Sequence, residues 1–222
     1  PWIEAISSLS MELIDFDRRF DCQWHCWTFV VDGTPCATQE PRRPFWRGWY
    51  SHKFEGAGLA YEVATAVTTG LIVWINGPFP AGKWKDDTIF MSALAKLVRP
   101  GIEKGVADAG YRSKAISKYL FFPSWRTKKG MEEEKWPRND LHEPIRARHE
   151  TINTRLHKWN CVGSIFRHAR DLHSNFFHPA AVVVQLEIMR GFTSQFCLIP
   201  QPWTEPETYK ATLDPMEQYP TD

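Results

Sequence analysis

Four acidic residues stand at places in the sequence where a carboxylate could bind a metal ion. Asp32 follows a predicted strand, Asp86 stands at the entry to a predicted helix, Asp108 follows a later strand, and Glu150 lies on a late helix. Carboxylates at the ends of adjacent strands, faced by one from a helix, can hold two Mg²⁺ or Mn²⁺ ions about 3.5–4 Å apart. Such a pair of ions activates an attacking hydroxyl group and stabilises the leaving oxygen of a phosphodiester. The pattern therefore predicts metal-dependent chemistry on phosphodiesters.

Each of these acids also has a purely structural explanation. Asp32 could be a turn residue, because aspartate followed by glycine is common in turns. Asp108 could also be a turn residue. Asp86, or its neighbour Asp87, could cap the helix that follows. Glu150 could be one more charge on a solvated helix face. The prediction of a metal site therefore depends on the four acids as a set.

The elements that would position these acids follow the order strand, hairpin, helix, strand, strand, helix, helix. Period-two and period-3.6 patterns, bounded by glycine and proline turns, define them. The predicted strands are residues 26–32, 59–67, 71–75, 105–108 and 119–122, and the predicted helices are residues 88–98, one beginning at Pro144, and 179–189. Residues 37–58 indicate a long exposed loop. This order predicts a mixed α/β fold with one sheet covered by helices.

The late helix carries the acid Glu150 and most of a basic strip. Helical periodicity places Glu150 on one face with Arg146, Asn153 and His157. Residues 145–170 contain six basic residues against one acid, although the net charge of the chain is only +1. Such a strip suits phosphate binding by one face, and it is also typical of a solvated helix. We expect DNA to contact four of its side chains, Arg146, Arg148, Arg155 and Lys158.

The cysteines and the hydropathy indicate the class and location of the protein. Five cysteines, without a repeated Cys-x-x-Cys pair, favour a reducing compartment, the nucleus or the cytoplasm, and not secretion. Cys22, His25, Cys26 and Cys36 could supply zinc ligands, but their spacing lacks the paired form of zinc modules. Buried free thiols are the alternative interpretation. No apolar run approaches the ~20 residues of a membrane-spanning helix, so we expect a soluble protein without a membrane partner.

The chain contains 11 tryptophans, which raises a third possibility for its surface. Trp46 and Trp49, in the predicted loop, could stack on sugars or bases. Tryptophans are more often part of the core, so burial in the core is the alternative interpretation.

A series of short motifs resembles the Harbinger-like group of the DDE superfamily endonucleases. These motifs are VVDGTP at residues 30–35, GLAYEVATAV at 58–67, IVWINGPFPAG at 72–82, KDDTIF at 85–90, VADAGY at 106–111 and RHETIN at 148–153. The similarity covers about residues 29–191, and it is carried by the order of the motifs and their placement at strand ends. The resemblance implies a ribonuclease-H-like α/β fold, with a mixed five-stranded sheet flanked by helices. It also implies two divalent ions and DNA cleavage with strand transfer, as in a transposase.

The resemblance assigns a role to each acid. Asp32 would be the aspartate of the first strand, and Glu150 the glutamate of the late helix. Asp86, four residues before Phe90, would be the aspartate of an HDS-like motif. Asp108 would be the aspartate of a GDxGY-like motif. All four would be catalytic metal ligands.

Other residues are assigned by analogy or depart from the family pattern. Arg148 and Asn153 would orient the glutamate or contact a phosphate group. Lys85 stands where the family often has histidine, Asp87 replaces a small hydroxyl residue, and Ala107 replaces a glycine. None of these departures removes an acid, but Asp87 leaves open which of two neighbouring aspartates is the ligand.

The chain is expected to divide into three regions. Residues 1–25 would be a truncated N-terminal extension, residues 26–191 the nuclease domain with an exposed insertion at 126–140, and residues 192–222 an acidic tail. No helix-turn-helix precedes the nuclease region, so we expect a separate DNA-binding partner protein or a homo-oligomer. The alternative is a transposase-derived remnant that keeps the fold and some binding but has lost its chemistry.

Overall fold

A computed structural model describes residues 2–20, 27–40, 47–111, 113–122 and 139–192, with the side chains of Ala109 and residues 139–144 excepted. Several predictions lie outside this range: the zinc candidates Cys22, His25 and Cys26, the stacking candidate Trp46, most of the insertion, and the acidic tail beyond residue 192. The described residues form a mixed α/β fold with one six-stranded mixed sheet flanked by helices.

The described strands and helices have the following bounds. The strands are β1 Trp27–Ala37, β2 Tyr50–Ser51, β3 Gly56–Ala66, β4 Ile72–Pro80, β5 Lys104–Val106 and β6 Leu120–Phe121. The helices are α1 Trp2–Leu13, α2 Asp86–Ser92, α3 Asn139–His157, α4 Asn160–Gly163 and α5 Ser174–Met189. Short 3₁₀ turns at Phe16–Phe20, Arg47–Trp49, Leu94–Lys96, Ala109–Tyr111 and Arg170–Leu172 connect them.

The sheet is built around the long antiparallel pair β1 and β3. β5 lies on the other side of β1 and runs parallel to it, and β6 continues the sheet parallel to β5. The far edge of β3 pairs antiparallel with both β2 and β4. The predicted hairpin is confirmed as β3 and β4. The prediction of five strands was wrong by one, because the two-residue strand β2 forms inside the segment expected to be a loop.

The prediction that Asp32 ends the first strand was wrong. β1 continues for five residues past Asp32, because β3 is equally long and pairs with it as far as Ala37 opposite Gly58. Gly33 is therefore a strand residue and not part of a turn. The parallel partner β5 does stop, since its last pair is Val30 with Val106. Asp32 thus lies just beyond the parallel half of the sheet.

The helices also differ from their predicted bounds. α3 begins at Asn139 and α5 at Ser174, so both Pro144 and Pro179 lie in the sixth position of their helices and not in the first turn. A proline there removes one backbone hydrogen bond. In α5 the added turn allows Phe177 to stack on Tyr61 of β3 at 3.8 Å between ring centroids, and this packing favours the longer helix. The single helix predicted at 88–98 is instead α2 followed by a 3₁₀ turn.

The N-terminal residues that the structure describes are packed into the same core. Phe16 is buried and contacts Phe29 of β1 edge to face, with ring centroids 5.2 Å apart. The guanidinium group of Arg19 donates two 2.8 Å hydrogen bonds to the buried carboxylate of Glu103. Thr28 of β1 donates a third hydrogen bond to Glu103, at 2.6 Å. These contacts fasten the segment before β1 to the strand that carries Asp32.

Among the described residues, we find no helix whose length and hydropathy would let it cross a membrane.

Candidate functional site

The four acids come from separate elements and lie around one region of the sheet. Asp32 is in β1, Asp86 opens α2, Asp108 follows β5 by two residues, and Glu150 is in α3. Asp32 and Glu150 line the same cleft of about 320 Å³ between β1 and α3. A small adjoining cavity is lined by Asp32, Glu150, Asp108 and Arg146. The fold therefore brings Asp32 and Glu150 to the same side of the sheet, as a shared site requires.

Two glycines leave the space that Asp86 and Asp108 occupy. A Cβ atom on Gly33 would lie 2.7 Å from Oδ1 of Asp86, and a Cβ atom on Gly110 would lie 2.9 Å from Oδ1 of Asp108. The same atom on Gly110 would be 3.7 Å from Oδ2 of Asp86. Gly110 also donates its N–H to Asp108 at 2.7 Å, as Gly33 does to Asp32. Asp86 and Asp108 are therefore neighbours at Gly110, beside β1.

These contacts decide between Asp86 and Asp87. The carboxylate of Asp86 lies against Gly33 and Gly110, whereas Asp87 accepts a hydrogen bond from the hydroxyl of Thr88 at 3.1 Å. Neither aspartate caps α2, because the cap position is Lys85 and no side chain there accepts a hydrogen bond. Asp86 is therefore the member of the acid cluster.

The charges of these acids repel one another. Burial, and then repulsion from Asp108 and Glu150, raises the pKa of Asp32 to about 6, against the opposing effects of the Gly33 N–H and Arg146. Burial, and then repulsion from Asp32 and Asp108, raises the pKa of Asp86 to about 6, while Lys53 lowers it. Like charges disfavour ionisation only when they lie close together. The cluster is therefore an electrostatic unit that favours a cation.

Glu62 and Tyr111 belong to the surroundings of Asp86, and sequence reasoning missed them both. Glu62, in β3 opposite Gly33, is 1% exposed, and burial with some repulsion from Asp86 raises its pKa to about 8 against a 2.9 Å hydrogen bond from Trp74. Tyr111 is fully buried, and burial followed by repulsion from Asp86 raises its pKa. Oε2 of Glu62 and the hydroxyl of Tyr111 have no hydrogen-bond partner among the described residues. The sequence signal that could have identified Glu62 is the presence of a glutamate inside an otherwise apolar strand.

A buried hydrogen-bond network fixes α3 against β1 and β3. The hydroxyl of Thr34 donates to Oδ1 of Asn153 at 2.7 Å, and the amide of Asn153 contacts Nδ1 of His149 at 3.4 Å. Nε2 of His149 lies 3.0 Å from the carbonyl oxygen of Val63. Burial lowers the pKa of His149 to about 4, so at neutral pH the ring is neutral and donates from Nε2. This network sets the position of Glu150, which follows His149 directly.

The predicted DNA-contacting residue Asn153 is part of that network. It is 8% exposed, and its amide group is engaged by Thr34 and His149. The prediction that Glu150, Asn153 and His157 lie on the same face of the helix is confirmed, since all three line the cleft. Asn153 is therefore placed to orient α3, the first of the two roles expected for it.

The basic residues of α3, together with Lys158 directly after it, divide into two pairs. Arg146 lies 3.9 Å from Glu150 and lines the acid cavity, and Lys158 lines the larger cleft. Arg148 instead donates to the carbonyl oxygens of Val67 and Thr68 at 2.7 and 2.5 Å, which fastens α3 to the β3–β4 turn. Arg155 is directed toward Glu187 of α5, with 4.0 Å between the charged atoms.

Further cleft residues were not singled out by sequence reasoning as binding residues. Lys53, in the turn between β2 and β3, lines the cleft, and so do Thr154 and His157 of α3. Trp49, the stacking candidate that the structure describes, is half-buried beneath the guanidinium group of Arg170, at 4.9 Å from its ring centroid.

The donor chemistry of the cluster fits Mg²⁺ or Mn²⁺, because all four donors are carboxylates and their repulsion would be relieved by a cation. In the described part of the chain, no three His, Cys, Asp or Glu side chains are already arranged so that they could hold a metal ion. The side chain of Glu150 is 58% exposed. Of the zinc candidates, Cys36 is a buried free thiol.

No protein-family model, curated protein or solved structure matches this chain. The interpretation of the site therefore depends on its own residues.

Proposed function

We propose that this chain is the nuclease domain of a DDE-type, Harbinger-like transposase, which cleaves and transfers DNA strands with two Mg²⁺ or Mn²⁺ ions. The observation that carries the proposal is the meeting of Asp32, Asp108 and Glu150 around one cavity, with Asp86 beside Asp108. These acids come from four elements that are far apart in the sequence. Clustered acids with raised pKa values are a recognised mark of functional sites.

The fold supports the same proposal. β1 pairs antiparallel with β3 and parallel with β5, and β6 continues the parallel half. This mixed sheet flanked by helices is compatible with a ribonuclease-H-like fold. Asp32 lies on the strand that both halves of the sheet share, at the point where parallel pairing ends. An acid at this point can be approached by side chains of α3 and by side chains of the loop that follows β5.

In this proposal Asp32, Asp108 and Glu150 would hold the ions, and Asp86 would complete the ligand set beside Asp108. Bound ions would polarise the scissile phosphate and lower the pKa of the attacking hydroxyl group. The protein itself contributes position and charge. The network of Thr34, Asn153 and His149 fixes the helix of Glu150, and Arg146 balances the negative charge between Glu150 and Asp32.

The test is nicking of supercoiled plasmid by the purified protein in Mg²⁺ or Mn²⁺. We expect Asp32→Asn and Glu150→Gln each to reduce the nicking rate by at least about 100-fold, since each removes a charged ligand. Asp87→Asn is the matched control, because Asp87 neighbours the cluster but bonds to Thr88. The proposal is wrong if the wild-type protein leaves plasmid intact with both metals and Asp32→Asn binds metal as the wild type does.

A second candidate is a nucleic-acid-binding remnant without chemistry. The observation that favours it is that Lys53 and Lys158 line the cleft beside the acids, where they could bind phosphate groups without a metal ion. Calorimetric titration with Mn²⁺ separates the two candidates. A nuclease should bind the ion and lose that binding in Asp32→Asn, whereas a remnant should bind DNA without either effect.

A further inference from the structure

The cleft beside the acids has a chemical polarity along its length. One wall runs along α3 from Glu150 to Lys158, the first residue after the helix, a distance of about 12 Å at 1.5 Å per helical residue. Asp32 of β1 lies at the acidic end with Glu150, and the other end carries His157 and Lys158. Lys53, in the turn between β2 and β3, lines the same cleft. One end therefore suits cations and the other end suits anions.

We propose that this cleft seats one DNA strand, whose phosphate groups next to the scissile bond are held between Lys53 and Lys158. This inference rests on the proposed nuclease function and adds the form of the substrate and the residues that hold it. Both lysines are exposed, so they can reach a bound strand without desolvation. Lys53 is also close enough to the acids for its charge to lower the pKa of Asp86. A phosphate at Lys53 would thus be adjacent to the acid cluster.

The size of the cleft favours a single strand over a duplex. Its volume of about 320 Å³ lies at the lower end of small-ligand pockets, which is room for about one nucleotide unit. This room admits one strand and not both strands of a duplex, so we place an unpaired strand beside the acids.

The lining also predicts how the strand is recognised. Apart from the acids, the exposed lining consists mainly of cations and the hydroxyl of Thr154, which suit phosphate and sugar, together with the ring of Pro35. His157 is engaged with backbone, since Nδ1 lies 2.8 Å from the carbonyl oxygen of Asn153 and Nε2 lies 3.3 Å from that of Pro35. Its contacts fasten the end of α3 to β1. Binding is therefore expected to depend on the two lysines and to be independent of base sequence.

The experiment measures the binding of a fluorescent 12-nucleotide oligothymidine to the full chain in EDTA, by anisotropy at several salt concentrations. We expect Lys53→Gln and Lys158→Gln each to weaken binding several-fold at low salt. Each should also lower the slope of log K against log salt by about 0.7, the value for one phosphate contact on a single strand. Lys96→Gln, at an exposed lysine on the 3₁₀ turn after α2, is the matched control and should change neither quantity.

Other outcomes would overturn the inference. It fails if the two cleft variants keep the wild-type slope, if a 12-base-pair duplex competes as well as the single strand, or if oligouridine binds more tightly than oligothymidine. Plasmid nicking measured in parallel separates this failure from that of the nuclease. If the lysine substitutions do not weaken DNA binding but the protein nicks plasmid, only the inference about the cleft is wrong. If binding depends on the lysines but the protein does not nick plasmid, only the nuclease function is wrong.

Discussion

Glu62 offers a direct test of the electrostatics behind the acid cluster, through the substitution Glu62→Gln. Its carboxyl group is 1% exposed in the middle of β3, where Oε1 accepts a hydrogen bond from Trp74 at 2.9 Å. Glutamine keeps this acceptor and nearly the same shape, but it carries no charge at any pH. The substitution therefore isolates the free-energy cost of ionising a carboxyl group at this position.

The sign and size of the effect follow from the pKa of Glu62. Burial, followed by repulsion from Asp86, raises it from 4.5 to about 8. An acid with a raised pKa in the folded state contributes stability at low pH, and this stability is lost as the pH rises. For Glu62 the loss begins near pH 4.5 and is complete near pH 8. At about 1.4 kcal/mol per unit of pKa, the wild type should lose roughly 3–5 kcal/mol across this window relative to the glutamine variant.

Urea unfolding at pH 5, 7 and 8.5 measures this difference. We expect the two proteins to differ by about 1 kcal/mol or less at pH 5, and the glutamine variant to be the more stable by several kcal/mol at pH 8.5. Glu12→Gln, at an exposed residue of α1, controls for the general effect of removing an acid. If Glu62→Gln and the wild type show the same pH dependence of the unfolding free energy, Glu62 is not a buried neutral acid and the reasoning is refuted.

Three further substitutions test the contacts that position the site. Gly110→Ala would place a Cβ atom 2.9 Å from Oδ1 of Asp108, so it should displace that carboxylate and lower the nicking rate by at least about tenfold, while circular dichroism shows the fold retained. Asn153→Leu leaves the buried hydroxyl of its partner unpaired, so it should lower the unfolding free energy by about 1–3 kcal/mol in urea. Arg19→Met leaves the buried Glu103 carboxylate without its main partner and should cost about 3–5 kcal/mol, measured by thermal unfolding, with a smaller loss for the double substitution Arg19→Met with Glu103→Gln.

The sequence predicted the elements of the fold better than their ends. Hydropathy periodicity found β3, β4 and the two long helices, because each buries one face in the core. It failed at Gly33, where an aspartate–glycine pair indicated a turn. The strand continues there because β3 supplies hydrogen-bond partners as far as Ala37, and that pairing is a tertiary contact. The prolines of α3 and α5 likewise led to wrong predictions of where these helices begin, since a proline is favoured in the first turn but is tolerated later in a helix.

The sequence predicted which residues of α3 share the cleft, but not the positions of its basic side chains. Helical spacing correctly grouped Glu150 with Asn153 and His157, because residues three and four apart share a face. The same spacing could not predict which groups the other basic side chains contact. Arg148 ends on the carbonyl oxygens of the β3–β4 turn, which come from a distant part of the sequence. Lys53 enters the cleft from a turn that no periodicity connects with α3.

The cost of the acid cluster is itself an argument for function, independent of any family resemblance. Asp32, Asp86 and Glu62 all have pKa values raised above their ordinary range, first by burial and then by neighbouring negative charge. Each lowers the stability of the folded state at neutral pH, since an amide or apolar side chain there would carry no such charge. By contrast, the buried carboxylate of Glu103 accepts two hydrogen bonds from Arg19, so the cost of its burial is compensated. Local conflicts with stability gather where a protein needs specific chemistry. The removal of one acid from this cluster should therefore raise stability at neutral pH while it lowers metal binding. A loss of stability with unchanged metal binding would mean that the acids serve the fold alone.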